Sequence, residues 1–365
     1  MVDSPRGPRN LPRLRHYHDA GYLECPLLRA ETAWSCWRTD PGRADRLLGW
    51  TWAGGRWQED REARPTFDAP AFLRAHVNAT IVFAGDSLVR QQFVSLACLL
   101  WREAAFLQQR KAALGRGLNK AVFSPRYGLR LAYAKSNFLV PRPHGRLVLN
   151  ELDASITAAV ALAPHVLLLS TGHWFTPRLV NVSSEAAVLL QLRGALRKVG
   201  ALLLRTRLQQ ARQRRLLGGG GTHAHEFAPP GRVVVRTTPP AHFFGGEWDT
   251  GGGCQHFAAP LGADDAAWAD AALRHGRANA VALSRALVAE LGGLDGVEVL
   301  EVEPSSRARA DAHVGDFRCP KCRALCEADA ATGAVTSSGL PRRCSETTAD
   351  CSHCCLVKGA VLVAP

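Results

Sequence analysis

The run "FAGDSLVRQQFVSL", Phe83–Leu96, passes from an apolar, strand-like segment through Gly-Asp-Ser directly into a helix-like pattern. Two readings of it need no function. Gly85 breaks the strand, and Asp86 or Ser87 caps the following helix. A third makes Ser87 a nucleophile held at the mouth of a sheet. A serine alone is a weak nucleophile and needs a base oriented by a third group, so the choice depends on what the rest of the chain supplies.

Working outward, four short apolar runs read as buried strands: Thr80–Ala84, Val166–Ser170, Val233–Arg236 and Val297–Val302. Each is rich in Val, Ile or Leu and bounded by Gly, Pro or polar residues. Helix-like stretches lie between them at Leu88–Ala105, Glu185–Lys198 and Asp264–Leu291. Continuous apolar strands alternating with helices predict an α/β fold, a parallel sheet flanked by helices on both faces. In such a sheet ligands gather at the carboxyl ends of the strands, where helix N-termini present free N–H groups. Gly85 spares this turn a crowding side chain. The Ser87 N–H, with the positive end of its helix, is placed to hold a developing oxyanion.

The chain has 365 residues, 47% of them hydrophobic, enough for a large core. Its formal charge is +13, which invites a nucleic-acid reading. The basic residues are scattered, however, and the densest run, Arg205–Arg215, has little aromatic interleaving. It reads as a solvated helix face, with an anionic partner as the other reading, and no nucleic acid is expected. No apolar run approaches the ~18 residues of a membrane span, and the N-terminus lacks the apolar core of a secretory signal. The chain is therefore expected either to be cytosolic or to start after a lost targeting segment. Eleven cysteines favour an oxidising compartment. The sequons Asn78-Ala-Thr and Asn181-Val-Ser are compatible with a secretory lumen. Residues 1–20 read as a flexible tail, and 21–75 as a small lobe stapled by Cys25 and Cys36 and packed by Trp34, Trp37, Trp50, Trp52 and Trp57. Residues 76–365 read as the main domain, with "LLGGGGTHAHEFAPPG" (216–231) as a flexible insertion.

A base is not scarce among 13 histidines. In "ADCSHCCL" Asp350 and His353 stand three apart, a spacing that on one helical turn puts both on the same side. The carboxylate would fix the imidazole tautomer and leave the other nitrogen to face a serine. The rival reading of this region is a zinc ribbon, because Cys319-Pro-Lys-Cys322 and Cys351-Ser-His-Cys354 mimic paired C-x2-C spacing. A metal there would engage His353. Disulfides are the preferred reading, and no metal is expected. The G-x-S-x-G elbow of ordinary α/β-hydrolases is absent.

Gly85-Asp86-Ser87 and Asp350-Cys351-Ser352-His353 together resemble the trichome birefringence-like family, polysaccharide O-acetyltransferases with an SGNH/GDSL-esterase-like (PC-esterase) domain. Further blocks extend the likeness: "CPLLRAETAWSCWRTDPGRAD" with "WTW" near the start, "STGHWF" (170–175), "RTTPPAHFFGGEWDTGGGC" (236–254) and "RADAH" (309–313). The resemblance implies Ser87 as nucleophile, His353 as base and Asp350 as its orienter. Around them Gly85, Arg90, Ser170, Gly172, His173 and Trp174 would form the oxyanion and substrate site. It implies a polysaccharide acceptor, an acetyl donor such as acetyl-CoA as co-substrate, no tightly bound cofactor, a Golgi or other secretory lumen, and membrane association only through an upstream anchor. Two departures stand out. Ser170 occupies the place of an asparagine whose side chain helps form the oxyanion hole, and Gln91 that of another asparagine. The alternatives are an acetylesterase with the same triad, an inactive glycan-binding protein, and a zinc-stapled nucleic-acid binder.

Overall fold

The Val-, Ile- and Leu-rich runs become the parallel centre of a seven-stranded sheet. The computed structural model describes residues 25–30, 47, 50–53, 56–59, 67–109, 117–216, 231–243, 259–261, 280–315 and 350–354. The chain divides into two units. One comprises Phe67–Pro239, Ala278–Glu303 and Ala364–Pro365; the other comprises Met1–Thr66, Pro240–Arg277 and Pro304–Val363.

In the first unit the strands are β1 (Thr80–Gly85), β2 (Leu107–Gln108), β3 (Lys120–Ser124), β4 (Leu129–Lys135), β5 (Val166–Ser170), β6 (Arg232–Arg236) and β7 (Val297–Leu300). Their spatial order is β2-β3-β4-β1-β5-β6-β7. Strands β4, β1, β5, β6 and β7 run parallel. The α/β class expected from the sequence is therefore the observed one, with one difference. An antiparallel edge, β2 on β3 and β3 on β4, extends the sheet. Its cause is local. Only Pro125–Gly128 separates β3 from β4, a connection too short for a parallel crossover, and Gly128 turns the chain at φ +64.

The helices are α1 (Ala69–Ala75), α2 (Ser87–Ala104), α3 (Ala154–Ala161), α4 (Pro177–Val180), α5 (Glu185–Leu216) and α6 (Ala280–Leu287), the last running into a π-helical turn, Val288–Gly292. Side-chain alternation along β1 sorts the layers. Val82 and Ala84 join Ala132 and Ala134 of β4, Leu167 and Leu169 of β5, and Val233 and Val235 of β6. With Ile156 and Ala159 of α3, Val188, Leu192 and Leu196 of α5 and Leu287 of α6 they make one core. Phe83 and its cross-strand partner Tyr133 point the other way and meet Phe93 of α2, with ring centroids 6.0 and 6.2 Å away. Burial on both faces is why these strands read as unbroken apolar runs. Each fully buried large side chain here contributes about 1.5–3 kcal/mol.

The connection from β1 leads to one side, to β4, and the next crossover returns to the other side, to β5. Strand order thus reverses about β1, and the carboxyl ends of β4, β1 and β5 are where sheets of this kind hold their ligands.

In the second unit Trp50–Ala53 and Arg56–Glu59 form a hairpin with Trp52 opposite Trp57, and Pro26–Ala30 is a short helix. Asp350–Cys354 pairs antiparallel with His313–Gly315. The expected tail 1–20, most of the Gly-rich stretch (217–230) and residues 264–279 of the last expected helix lie outside the described residues. So do Trp34, Trp37, Cys36, Cys254, Cys319, Cys322, Cys326, Cys344 and Cys355. Among the described residues no helix is long and apolar enough to cross a membrane.

Candidate active site

Asp86, not Ser87, caps α2. Its carboxylate accepts hydrogen bonds from the N–H groups of Leu88 at 3.0 Å and Val89 at 3.4 Å, and its carbonyl accepts from Arg90 N–H at 3.1 Å. The carbonyls of Gly85 and Asp86 both face the Tyr133 hydroxyl, at 3.2 and 3.0 Å. With the cap supplied by its neighbour, Ser87 is left as the first helical residue. Its Oγ is buried and has no hydrogen-bond partner among the described residues. A buried hydroxyl without a partner costs about 1–3 kcal/mol, and none of the capping chemistry accounts for it. As the first residue of the helix Ser87 also has an N–H with no partner inside the helix, at its positive end.

Gly85 makes this turn possible. Its φ is +150, and a Cβ there would lie 2.0 Å from the Ser170 carbonyl oxygen. The carboxyl ends of three strands meet in one row, since Gly85 is the register partner of Ser170 and Ser170 hydrogen-bonds Arg236. The guanidinium donates Nε–H at 3.3 Å and Nη2–H at 3.1 Å to Ser170 Oγ. Ser170 and Arg236 are only 1% and 4% exposed. Lys135 ends β4 on the other side of Gly85.

Beyond β5, Gly172 adopts φ +138, where a Cβ would collide with Thr238 Oγ1 at 2.3 Å. Thr238 Oγ1 donates to the Thr171 carbonyl at 2.7 Å, and Thr171 Oγ1 donates to the Asn137 carbonyl at 3.0 Å. The loops after β4 and β5 are thereby tied together over the end of β1. His173 and Trp174 follow, both half-buried. The Trp174 ring sits edge-on to Phe138, centroids 6.5 Å apart. Its Nε1–H, like Asn137 Oδ1, is buried without a hydrogen-bond partner among the described residues. Arg90 is half-buried on α2, three residues after Ser87 and so on the same side of the helix.

Of the residues expected at the site, Gly85, Ser87, Arg90, Ser170, Gly172, His173 and Trp174 therefore cluster on the carboxyl ends of β1 and β5 and the elements that follow. Tyr133, Asn137 and Thr238 were not expected. Tyr133 sits on a strand that the apolar runs did not reveal. Asn137 and Thr238 carry no spacing that marks them, and Arg236 lies in a quoted block without a role.

Asp350 and His353 belong to the second unit, on the strand Asp350–Cys354. The helical turn expected there is a strand, so three-residue spacing does not place two residues on one side as it does in a helix. The strand is irregular: His313 pairs with Cys354, but Gly315, two residues on, pairs with Asp350, four back. This two-residue excess shifts the register between His313 and Gly315.

Next to this strand stands a buried polar cluster. His242 Nε2 lies 2.7 Å from the Arg307 carbonyl and its Nδ1 2.6 Å from His313 Nε2. A carbonyl only accepts, so His242 Nε2 carries the proton. In a neutral pair, Nδ1 then accepts from His313 Nε2–H. Arg309 donates from Nε and Nη2 to the Asp311 carboxylate at 2.8 and 3.0 Å, and from Nη2 to the Leu47 carbonyl at 3.2 Å. These bonds tie the segments carrying His242, Arg307, Arg309 and His313 to one another and to Leu47. Among the described residues no group of three or more His, Cys, Asp or Glu could hold a metal ion. Cys25 and Cys98 are each part of a disulfide.

The arrangement invites comparison with known proteins. The sequence profile of the PC-Esterase family, described as a GDSL/SGNH-like acyl-esterase family found in Pmr5 and Cas1p, matches residues 65–359. Protein trichome birefringence-like 13 of Arabidopsis thaliana is 27% identical over 301 residues, 77% of this chain and 69% of that protein. Trichome birefringence-like 18 of the same plant is 29% identical over 218 residues, 56% of this chain and 39% of the relative. Xylan O-acetyltransferase 3 of Oryza sativa subsp. japonica is 30% identical over 142 residues, 39% of this chain and 29% of the relative.

Proposed function

The chain belongs to the PC-Esterase family, and we propose that it is a polysaccharide O-acetyltransferase working through an acetyl-Ser87 intermediate. One observation carries the reading: a buried serine hydroxyl without a hydrogen-bond partner among the described residues, at a helix N-terminus where strand order reverses. The xylan O-acetyltransferases among the relatives supply the acceptor class, a polysaccharide hydroxyl.

In the proposed reaction Ser87 Oγ attacks the carbonyl carbon of the acetyl donor while His353 takes its proton. The π electrons move to the carbonyl oxygen and form an oxyanion. When they return, the donor's leaving group departs, as an alcohol or as the thiol of acetyl-CoA, with the proton from His353. In the second half a sugar hydroxyl, deprotonated by the same imidazole, attacks acetyl-Ser87. The serine then leaves with its proton restored. Asp350 orients the imidazole throughout. Gly85, Arg90, Gly172, His173 and Trp174 shape the substrate side. We place the protein in a secretory lumen, the Golgi by family resemblance, and the disulfide-bonded Cys25 and Cys98 suit such a compartment.

The test is mass spectrometry of the chain after exposure to an acetyl donor, with and without a xylo-oligosaccharide. An acetylated Ser87 peptide and acetylated sugar are expected from the wild type, and neither from Ser87→Ala. Acetate released with no acetylated sugar would make the protein an esterase. Wild-type turnover by Ser87→Ala would end the serine mechanism.

A further inference from the structure

We infer that Arg236 is a positioning residue of the oxyanion hole, acting through Ser170. The inference rests on the acetyl-Ser87 reading above and gives one atom of that reaction a partner.

A serine hydroxyl has two acceptor lone pairs and one hydrogen. At Ser170 both acceptor directions are used, since Arg236 donates Nε–H and Nη2–H to the same oxygen. The Oγ can therefore act further only as a donor. That hydrogen has no acceptor among the described residues, although Ser170 is 1% exposed. A buried O–H with no acceptor is as costly as any other orphan polar group. It is also polarised, because hydrogen bonds in a chain strengthen one another and a cationic donor strengthens them most.

The place of this orphan donor fits one ligand atom. Ser170 is the register partner of Gly85, its carbonyl presses on the Gly85 Cα closely enough to exclude a Cβ, and Ser87 is two residues beyond. An oxygen that gains negative charge when Ser87 attacks an ester is an acceptor absent from the resting site. Asparagine at this position would donate an N–H held by its own planar amide. A lone serine hydroxyl rotates freely and loses direction. The guanidinium behind Ser170 removes that freedom by occupying both lone pairs, so the hydroxyl hydrogen has one sector left. No proton is transferred. The hydroxyl donates a hydrogen bond while the C–O bond to Ser87 forms, and releases it when the carbonyl returns.

The experiment uses the full chain and the pre-steady-state acylation of Ser87 by p-nitrophenyl acetate and by its thiono (C=S) analogue. A hydrogen-bonding hole favours oxygen over sulfur, and a residue that only supports the fold leaves that preference unchanged. Ser170→Ala is expected to slow acylation about 10²-fold with little change in KM, and to narrow the oxygen-over-sulfur preference. Arg236→Lys, which keeps the charge but not the fork, is expected to slow it about tenfold. Because Arg236 works through the Ser170 hydroxyl, the double variant should be no slower than Ser170→Ala alone. Additive losses, or Ser170→Ala acylating at the wild-type rate with an unchanged preference, overturn the inference while leaving acetyl-Ser87 intact. If Arg236→Lys does not fold, Ser170→Ala decides, since Arg236 is inferred to act through that hydroxyl. If the wild type forms no acyl-Ser87, both readings fall together.

Discussion

Gly85 leaves no room for a side chain, and that is why the strand can end where it does. A Cβ would overlap the Ser170 carbonyl and also stand 2.8 Å from Val89 Cγ2, at a φ of +150 that L-residues avoid. Gly85→Ala is expected to cost about 3 kcal/mol or more, from strain and overpacking together, read as a lowered denaturation midpoint. Asp86 is the complementary case. Asp86→Ala, which leaves the first turn uncapped, should lose about 1 kcal/mol or somewhat more, and Asp86→Asn, which keeps an acceptor, considerably less. Near-equal stabilities of the two variants would show that the carboxylate does more than cap. Trp174 poses a question of function rather than stability. Trp174→Phe keeps a ring against Phe138 but removes the unpartnered Nε1–H. If that N–H serves a sugar hydroxyl, KM for the oligosaccharide rises about tenfold, the worth of one hydrogen bond, with a smaller change in kcat. An unchanged KM would assign the indole to packing.

Strands β1 and β5 could be read from the sequence because they lie inside the sheet and are largely buried, which leaves runs such as Val-Leu-Leu-Leu without polar interruption. Strands β6 and β7 were marked by their valines, although β7 is a partly exposed edge strand. The β3–β4 hairpin escaped for the opposite reason. Along β4, Arg130 and Lys135 interrupt the apolar pattern, and the Tyr133 hydroxyl gives no hint that it reaches the carbonyls of Gly85 and Asp86. The helix-like stretch Glu185–Lys198 and the helix face at Arg205–Arg215 were read as separate segments, yet α5 is one helix to Leu216. Gly200 lets Leu291 and Leu294 approach, and the Leu, Gln, Ala and Arg that follow are good helix formers. Ser87 was readable from its strand–turn–helix context. The irregular strand of Asp350 and His353 was not, because its form depends on pairing with residues some forty positions earlier. A cross-strand pair adds a testable pH effect. Arg232 on β6 and Glu298 on β7 hydrogen-bond at 2.8 Å between Nε and Oε1, and the guanidinium holds the Glu298 carboxyl below its ordinary value. A carboxyl lowered on folding stabilises above its unfolded pKa and loses that contribution as pH falls through the folded one. Both side chains are more than half exposed, so screening keeps the pair at or below about 1 kcal/mol. Glu298→Gln should lower the melting temperature slightly at pH 7, and the difference from wild type should shrink as pH falls below the ordinary carboxylate range. A constant difference across that range would mean packing, not charge.

For the chain as a whole, the unresolved issue in the sequence was compartment, since abundant cysteine and two sequons point to a secretory lumen and the formal charge of +13 does not discriminate. The disulfide-bonded Cys25 and Cys98 weigh on the same side. The sequons can now be judged by their surroundings. Asn78 and Asn181 are both exposed, and both adopt left-handed backbone conformations, φ 58 and 56. Asn181 ends α4 as its C-cap. Asparagine is one of the few residues that such turns accept readily, which is a structural reason for it at each site without any glycan. Exposure on tight turns is also what an attached glycan requires, because a bulky polar group must leave the surface without displacing packed side chains. Expression of the chain behind a secretory signal should therefore yield two glycoforms' worth of mass, removed stepwise by an amide-cleaving glycosidase. Thr80→Val and Ser183→Ala each abolish one sequon while leaving the turn-forming asparagines in place, so each should remove one step without a shift in melting behaviour beyond the glycan's own. A secreted, folded protein with no glycan at either position would confine both asparagines to their role in the turns and remove one of the three supports for a lumenal enzyme.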